Sequence, residues 1–154
     1  MAKLNMVKAL NQALFQEMER DGDVLVLGED VGVDGGVFRV TDDLQRKFGS
    51  QRVIDSPLAE AAIIGTAVGM ALYGLKPVCE IQFSGFAFQC FHQIENHAAR
   101  YRNRSQGRFH VQMVMRMLNE CARHSTSHRK SSCIGWPDRF NFPTGFPPRE
   151  IVGC

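Results

Sequence analysis

A doubly wound α/β fold, with a mostly parallel sheet and helices on both faces, is predicted by three features of the sequence. The short unbroken apolar run Val24-Leu25-Val26-Leu27 has the length and composition of a strand buried on both faces, and Pro77 opens a further strand at residues 78–83. The segments between them carry apolar residues at helical spacing. Connections are short, and strands alternating with helices in this way assemble into a parallel sheet whose crossovers cover it.

The elements follow in order. Val7, Leu10, Ala13, Leu14 and Met18 recur at helical spacing, with Asn5 as an N-cap and Gly22 as a stop, which predicts an amphipathic opening helix. The strand at 24–27 ends at Gly28 and two acids follow, Glu29 and Asp30. Residues 32–36 form a glycine-rich loop. Thr41 with Asp42 caps a second short helix through Lys47, closed by Gly49. Arg52-Val53-Ile54-Asp55 is the next strand, and Ser56-Pro57-Leu58 is extended because proline restricts its predecessor.

Residues 59–73 are almost wholly apolar and rich in small side chains, so a buried helix is expected. Gly65, Ala67, Gly69 and Ala71 would let another backbone approach it, within the chain or across a subunit contact. Pro77 starts the strand at 78–83, residues 86–101 form a further helix with Phe88, Phe91, Ile94 and Ala98 on one side, and residues 109–115 a last strand.

Composition narrows the function. The chain has 154 residues, a net charge of +2, and charges that balance over the first 117 residues, so no global field points to nucleic acid or an anionic membrane. No run approaches a membrane span and the start lacks the apolar core of a secretion signal, which predicts a cytoplasmic protein, or an organellar one whose targeting segment is absent. Five cysteines, an odd number scattered along the chain, are no disulfide framework.

In a doubly wound sheet ligands bind at the carboxyl ends of strands, and three segments lie there: Glu29, residues 56–60 and residues 82–86. Glu60 is the first candidate for chemistry, an acid at the entrance of an otherwise apolar helix. Its bland alternative is a capping acid favoured by the helix dipole. The glycine-rich loop lacks the lysine of a P-loop and the Gly-x-Gly-x-x-Gly form, so loop geometry explains it better than a phosphate cradle. Arg100, Arg102, Arg104 and Arg108 read as a solvated helix end, and His92, His97 and His110 show no spacing of a catalytic pair.

Four strings in register carry a specific resemblance: Gly28-Glu29-Asp30-Val31-Gly32, Gly35-Gly36-Val37-Phe38, Asp55-Ser56-Pro57-Leu58-Ala59-Glu60 and Glu80-Ile81-Gln82-Phe83. Over residues 1–117 the chain resembles the β subunits of thiamine-diphosphate-dependent 2-oxo-acid dehydrogenases. The resemblance implies a transketolase-like pyrimidine-binding domain in which Glu60 touches N1′ of the cofactor's aminopyrimidine and promotes loss of its C2 proton. It also implies that Glu29, Leu58, Gln82 and Phe86 contact the cofactor. The expected activity is oxidative decarboxylation of pyruvate with acyl transfer to lipoyl, with branched-chain 2-oxo acids as the alternative substrates.

The diphosphate signature, Gly-Asp-Gly followed by paired asparagines, is missing, so the resemblance implies that an α subunit holds the diphosphate and magnesium. A second β subunit and the lipoyl acyltransferase core are the other implied partners, and this chain alone is expected to be inactive.

After Met117 the family pattern stops. Residues 118–154 hold four of the six prolines, three of the five cysteines and the only tryptophan, without helix or strand period, and are expected to be a disordered, aberrant tail. Degenerate back-translation is compatible with a reading-frame shift near Met117. A rival pattern, Cys121, His124, His128 and Cys133, has zinc-type ligands without the spacing of a standard finger. The domain is thus expected to be a truncated pyrimidine-binding domain at 1–117, and the chain an interaction module at most if it has no activity.

Overall fold

The computed structural model describes residues 4–118. Four strands, β1 (Val24–Gly28), β2 (Val53–Asp55), β3 (Lys76–Phe83) and β4 (Val114–Leu118), form one sheet in the order β2-β1-β3-β4, every pair parallel. The helices are α1 (Met6–Arg20), α2 (Leu44–Phe48), α3 (Glu60–Leu72), α4 (Ala87–His92) and the short α5 (Tyr101–Arg104).

Alternation along β1 assigns the two faces. Leu25 and Leu27 join Ile63, Ile64, Ala67 and Val68 of α3, Cys90 of α4, and Cys79 and Ile81 of β3 in one core. Val24 and Val26 join Met18 of α1, Leu44 of α2 and Val53 of β2 in the other. Side chains of successive strand residues point to opposite faces, so a five-residue run buried throughout requires a helical layer on each side. The doubly wound α/β class is as the sequence predicts.

α1 starts where expected: the Asn5 side chain accepts the Lys8 N–H at 2.9 Å. Its apolar stripe is mostly uncovered, with Met18 buried and Leu10 exposed. Neither Thr41 nor Asp42 caps α2 as expected. The cap is Asp43, in left-handed conformation at φ 63° and making no side-chain capping bond. Gly49 closes α2 as expected, at φ 82° with its N–H on the Gln45 carbonyl.

β3 begins at Lys76, and Pro77 costs no ladder bond to β4 because that pairing starts at Val78. The predicted helix over 86–101 is instead four pieces: a 3-10 turn (Ser84–Phe86), α4, a π turn (Gln93–Ala98) and α5. Apolar spacing of four residues, as in Cys90, Ile94 and Ala98, fits a π turn as well as an α-helix, so periodicity could not reveal the slip. The inward residues are Ala87 and Cys90, whereas Phe88 and Phe91 are exposed. The last strand starts at Val114, beyond a left-handed Gln106-Gly107 turn, and keeps Leu118, which pairs with Phe83.

The small residues of α3 serve two faces. Ala67 and Ala71 lie in the core, Gly65 faces the Gln93 side chain, and Gly69 faces open space. Two glycine substitutions should therefore have opposite signs. A Cβ on Gly28 would lie 2.8 Å from the Glu80 carbonyl oxygen across β1 and β3, so Gly28→Ala should cost about 1–3 kcal/mol. Gly69→Ala meets nothing and should gain about 0.5–1 kcal/mol by restricting the unfolded chain. Urea midpoints compare them, and equal effects would contradict this packing.

Candidate active site

The strand order places the site. From β1 the chain passes through α2 to β2 on one side, then crosses through α3 to β3 on the other side of β1. The carboxyl ends of β1 and β3 therefore flank the switch point, the position at which doubly wound sheets bind their ligands. Glu29 follows β1 directly, and the Ser56 N–H donates to the Gly28 carbonyl at 2.9 Å, holding the segment before α3 against the same edge. Glu60 is the first residue of α3.

Both carboxylates are buried, Glu29 at 7% and Glu60 at 5% exposure. No cation forms an ion pair with either among the described residues. Glu29 Oε1 has no hydrogen-bond partner among the described residues. A buried polar atom left unpaired costs about 1–3 kcal/mol, and such groups mark places where a missing partner belongs.

Burial, and after it the charges of Glu60 and Asp30, raise the Glu29 carboxyl above its ordinary value of 4.5. The folded chain then holds this proton more tightly than the unfolded one, so ionising Glu29 works against folding. The penalty is absent below about pH 4.5, grows as pH rises toward the raised value, and is complete above it. Glu29→Gln should therefore match the wild type in acid and exceed its stability at neutral pH. Urea midpoints across that range check it; an advantage confined to acid would contradict the sign.

The Cys90 thiol is pushed up mainly by burial, with a further contribution from the Glu60 charge. The Cys79 thiol is pushed up to about 12 by burial. Neither is a nucleophile at neutral pH.

The β3 side supplies the apolar wall. Pairing with β4 shifts register between Ile81 and Phe83, which leaves Gln82 as the extra residue of a bulge. Bulges re-aim side chains beside active sites. Phe83 makes edge-to-face contacts with Phe86 and with Phe38, each with ring centroids 5.7 Å apart. Phe38 was missed in the sequence because its place depends on the loop before it. Gly35 and Gly36 at φ 73° and 76° turn that loop back, and the Gly36 N–H donates to the Asp30 carbonyl at 2.7 Å. The Gly32 N–H donates to Asp55 Oδ1 at 2.6 Å, and Asn11 of α1 donates to the Val40 and Asp42 carbonyls. Leu58, at 75% exposure, stands open to solvent.

Beneath the loop, Glu80 of β3 is buried and pairs with Arg116 of β4. Burial raises its carboxyl and the Arg116 charge partly offsets this. The fold thus brings Glu29, Glu60, Gln82 and Phe86 to one edge of the sheet. His92 and His97, given no role from sequence, meet on the far part of the α4 segment with ring centroids 5.4 Å apart.

The family described as Transketolase, pyrimidine binding domain matches residues 2–130. The chain belongs to this family. Its parallel four-stranded sheet covered by helices is the transketolase-like pyrimidine-binding architecture.

The chain is 56% identical over 117 residues to the pyruvate dehydrogenase E1 component subunit beta of Acholeplasma laidlawii, covering 76% of the chain and 36% of that relative. The subunit of the same name from a Staphylococcus epidermidis strain is 56% identical over 107 residues, 70% of the chain and 33% of the relative. The 3-methyl-2-oxobutanoate dehydrogenase subunit beta of Mycobacterium tuberculosis is 53% identical over 114 residues, 74% and 33% respectively. The chain spans about a third of the length of the curated relatives it matches. Among the described residues no helix is long and apolar enough to cross a membrane, and no three metal-type ligands converge. Cys121, His124, His128 and Cys133 lie outside the described residues.

Proposed function

We propose that this chain supplies the aminopyrimidine half of a thiamine diphosphate site in a 2-oxo-acid dehydrogenase that decarboxylates pyruvate oxidatively and passes the acyl group to lipoyl. The observation that carries this is the buried Glu60 carboxylate at the switch point, facing Glu29 and bordered by the strand end that carries an aromatic wall. The residues fit an aminopyrimidine. Such a ring needs flat apolar contacts, offered by Phe86 and its neighbours Phe83 and Phe38, and polar partners at its edge, offered by Glu60, Gln82 and the unpaired Glu29 Oε1.

When bound, thiamine diphosphate supplies the carbon nucleophile and the electron sink that decarboxylation of a 2-oxo acid requires. Glu60 holds a proton at N1′ of the ring, and its burial excludes water from that bond. Glu29 and Gln82 orient the ring edge, and Leu58 lies near it. An α subunit holds the diphosphate and magnesium, and a second β subunit and the lipoyl acyltransferase core complete the assembly. The exposed Tyr73 and Phe88 suit subunit contact. Residues 1–117 form the domain in this reading, joined by the strand residue Leu118, which the sequence pattern alone places in the tail, and 119–154 are an aberrant tail. The chain alone is inactive because its site is shared.

Branched-chain 2-oxo acids are the second reading, supported by the similarity to the 3-methyl-2-oxobutanoate dehydrogenase subunit beta of Mycobacterium tuberculosis. Turnover of pyruvate against 2-oxoisovalerate by a full-length β subunit bearing this sequence, paired with its α subunit, separates the two. Preference for pyruvate supports the first; turnover of neither overturns both.

A further inference from the structure

We propose that His92 and His97 form an open, two-imidazole binding site for a divalent transition-metal ion of the imidazole-preferring kind, such as Zn²⁺ or Ni²⁺. In an α-helix residues five apart point about 140° away from each other and cannot share a ligand. Here α4 runs into a π turn, whose Ala99 N–H bonds to the Ile94 carbonyl five residues back at 2.9 Å. That register turns positions five apart toward one face, and the rings of His92 and His97 meet with centroids 5.4 Å apart and planes at 69°.

Metal–nitrogen bonds of about 2.0–2.1 Å at a near-tetrahedral angle place two imidazole centroids about 5 Å apart. Each ring turns freely about its bond to the metal, so the 69° angle is compatible with shared ligation. The centroid separation of the pair thus matches that of two imidazoles on one ion. π turns of this kind occur often at functional sites.

Access and competition agree. His92 is exposed and His97 half-buried, so an ion reaches both from solvent. The nearby Glu95 is engaged by Arg100, and no third His, Cys, Asp or Glu joins the pair among the described residues. Water must fill the other positions, which makes the site exchangeable and selective for ions that favour imidazole over carboxylate oxygen; Mg²⁺ is excluded by ligand type. This site is separate from the Glu29 and Glu60 edge and does not depend on the proposed reaction.

The test is calorimetric titration of the full chain with Ni²⁺, with Mg²⁺ as the control ion. The expected result is one Ni²⁺ site per chain that His92→Gln or His97→Gln each weakens by more than about tenfold, in line with losses seen when metal-site support is removed. His92→Cys, which keeps a ligand, should retain binding. A chain with Cys121→Ser, Cys133→Ser, His124→Gln and His128→Gln should also retain it. Circular dichroism confirms that each variant keeps its fold. Absence of Ni²⁺ binding, binding indifferent to both single substitutions, or binding lost with the tail ligands overturns the proposal.

Discussion

Glu60→Gln, in a full-length β subunit bearing this sequence and paired with its α subunit, is expected to lower 2-oxo-acid turnover by about 10²–10⁴-fold. The substitution keeps shape and hydrogen-bonding length and removes the group proposed to hold the N1′ proton. Fold stability should change little, because no ion pair depends on Glu60 among the described residues and its loss relieves repulsion on Glu29. Deuterium exchange at the cofactor C2 position separates this role from substrate binding: it should slow in parallel with turnover. Exchange at the wild-type rate would remove the assignment.

Arg116→Met should cost about 3 kcal/mol at neutral pH, the largest stability effect expected at the site edge. Glu80 is buried with a side-chain exposure of 4%, and Arg116 is its ion-pair partner among the described residues. Removing the guanidinium strands a carboxylate that burial already raises. Without Arg116 the Glu80 carboxyl rises further, so the cost of the substitution is greatest above that raised value and shrinks as acid protonates Glu80. Adding Glu80→Gln to Arg116→Met should recover much of the loss, since a neutral amide tolerates burial better than an unpaired charge. Denaturant midpoints of the single and double variants at neutral and acid pH give the measurement. A constant cost across pH, or no recovery in the double variant, would show that the pair does not act through charge.

Much of this was legible in the sequence, for a physical reason. A strand buried on both faces must be apolar at every position, so β1 announced itself and its two helical layers together. Glu60 stood out because a carboxylate at the head of an apolar helix is expensive unless something uses it. The remainder depends on long-range geometry. Phe38 reaches Phe83 only through the left-handed Gly35-Gly36 turn, the Gly32 bond to Asp55 and the Asn11 bonds to the loop's far end, and no local pattern encodes such closures. The Glu80 and Arg116 pair joins residues far apart in sequence through the β3–β4 register. The meeting of His92 with His97 requires a π turn whose apolar spacing is shared with an ordinary helix. Thr41 illustrates the converse: its type suggests a cap, yet its hydroxyl is buried without a partner among the described residues and the cap falls to Asp43.

Calorimetric titration of thiamine diphosphate with magnesium tests the central claim most directly, using the full-length β subunit bearing this sequence, the α subunit, and their mixture. A site divided between chains predicts saturable binding in the mixture alone, weakened by Phe86→Ala on the β side. Full-affinity binding by either subunit alone, or binding in the mixture that Phe86→Ala and Glu60→Gln both leave unchanged, would contradict it.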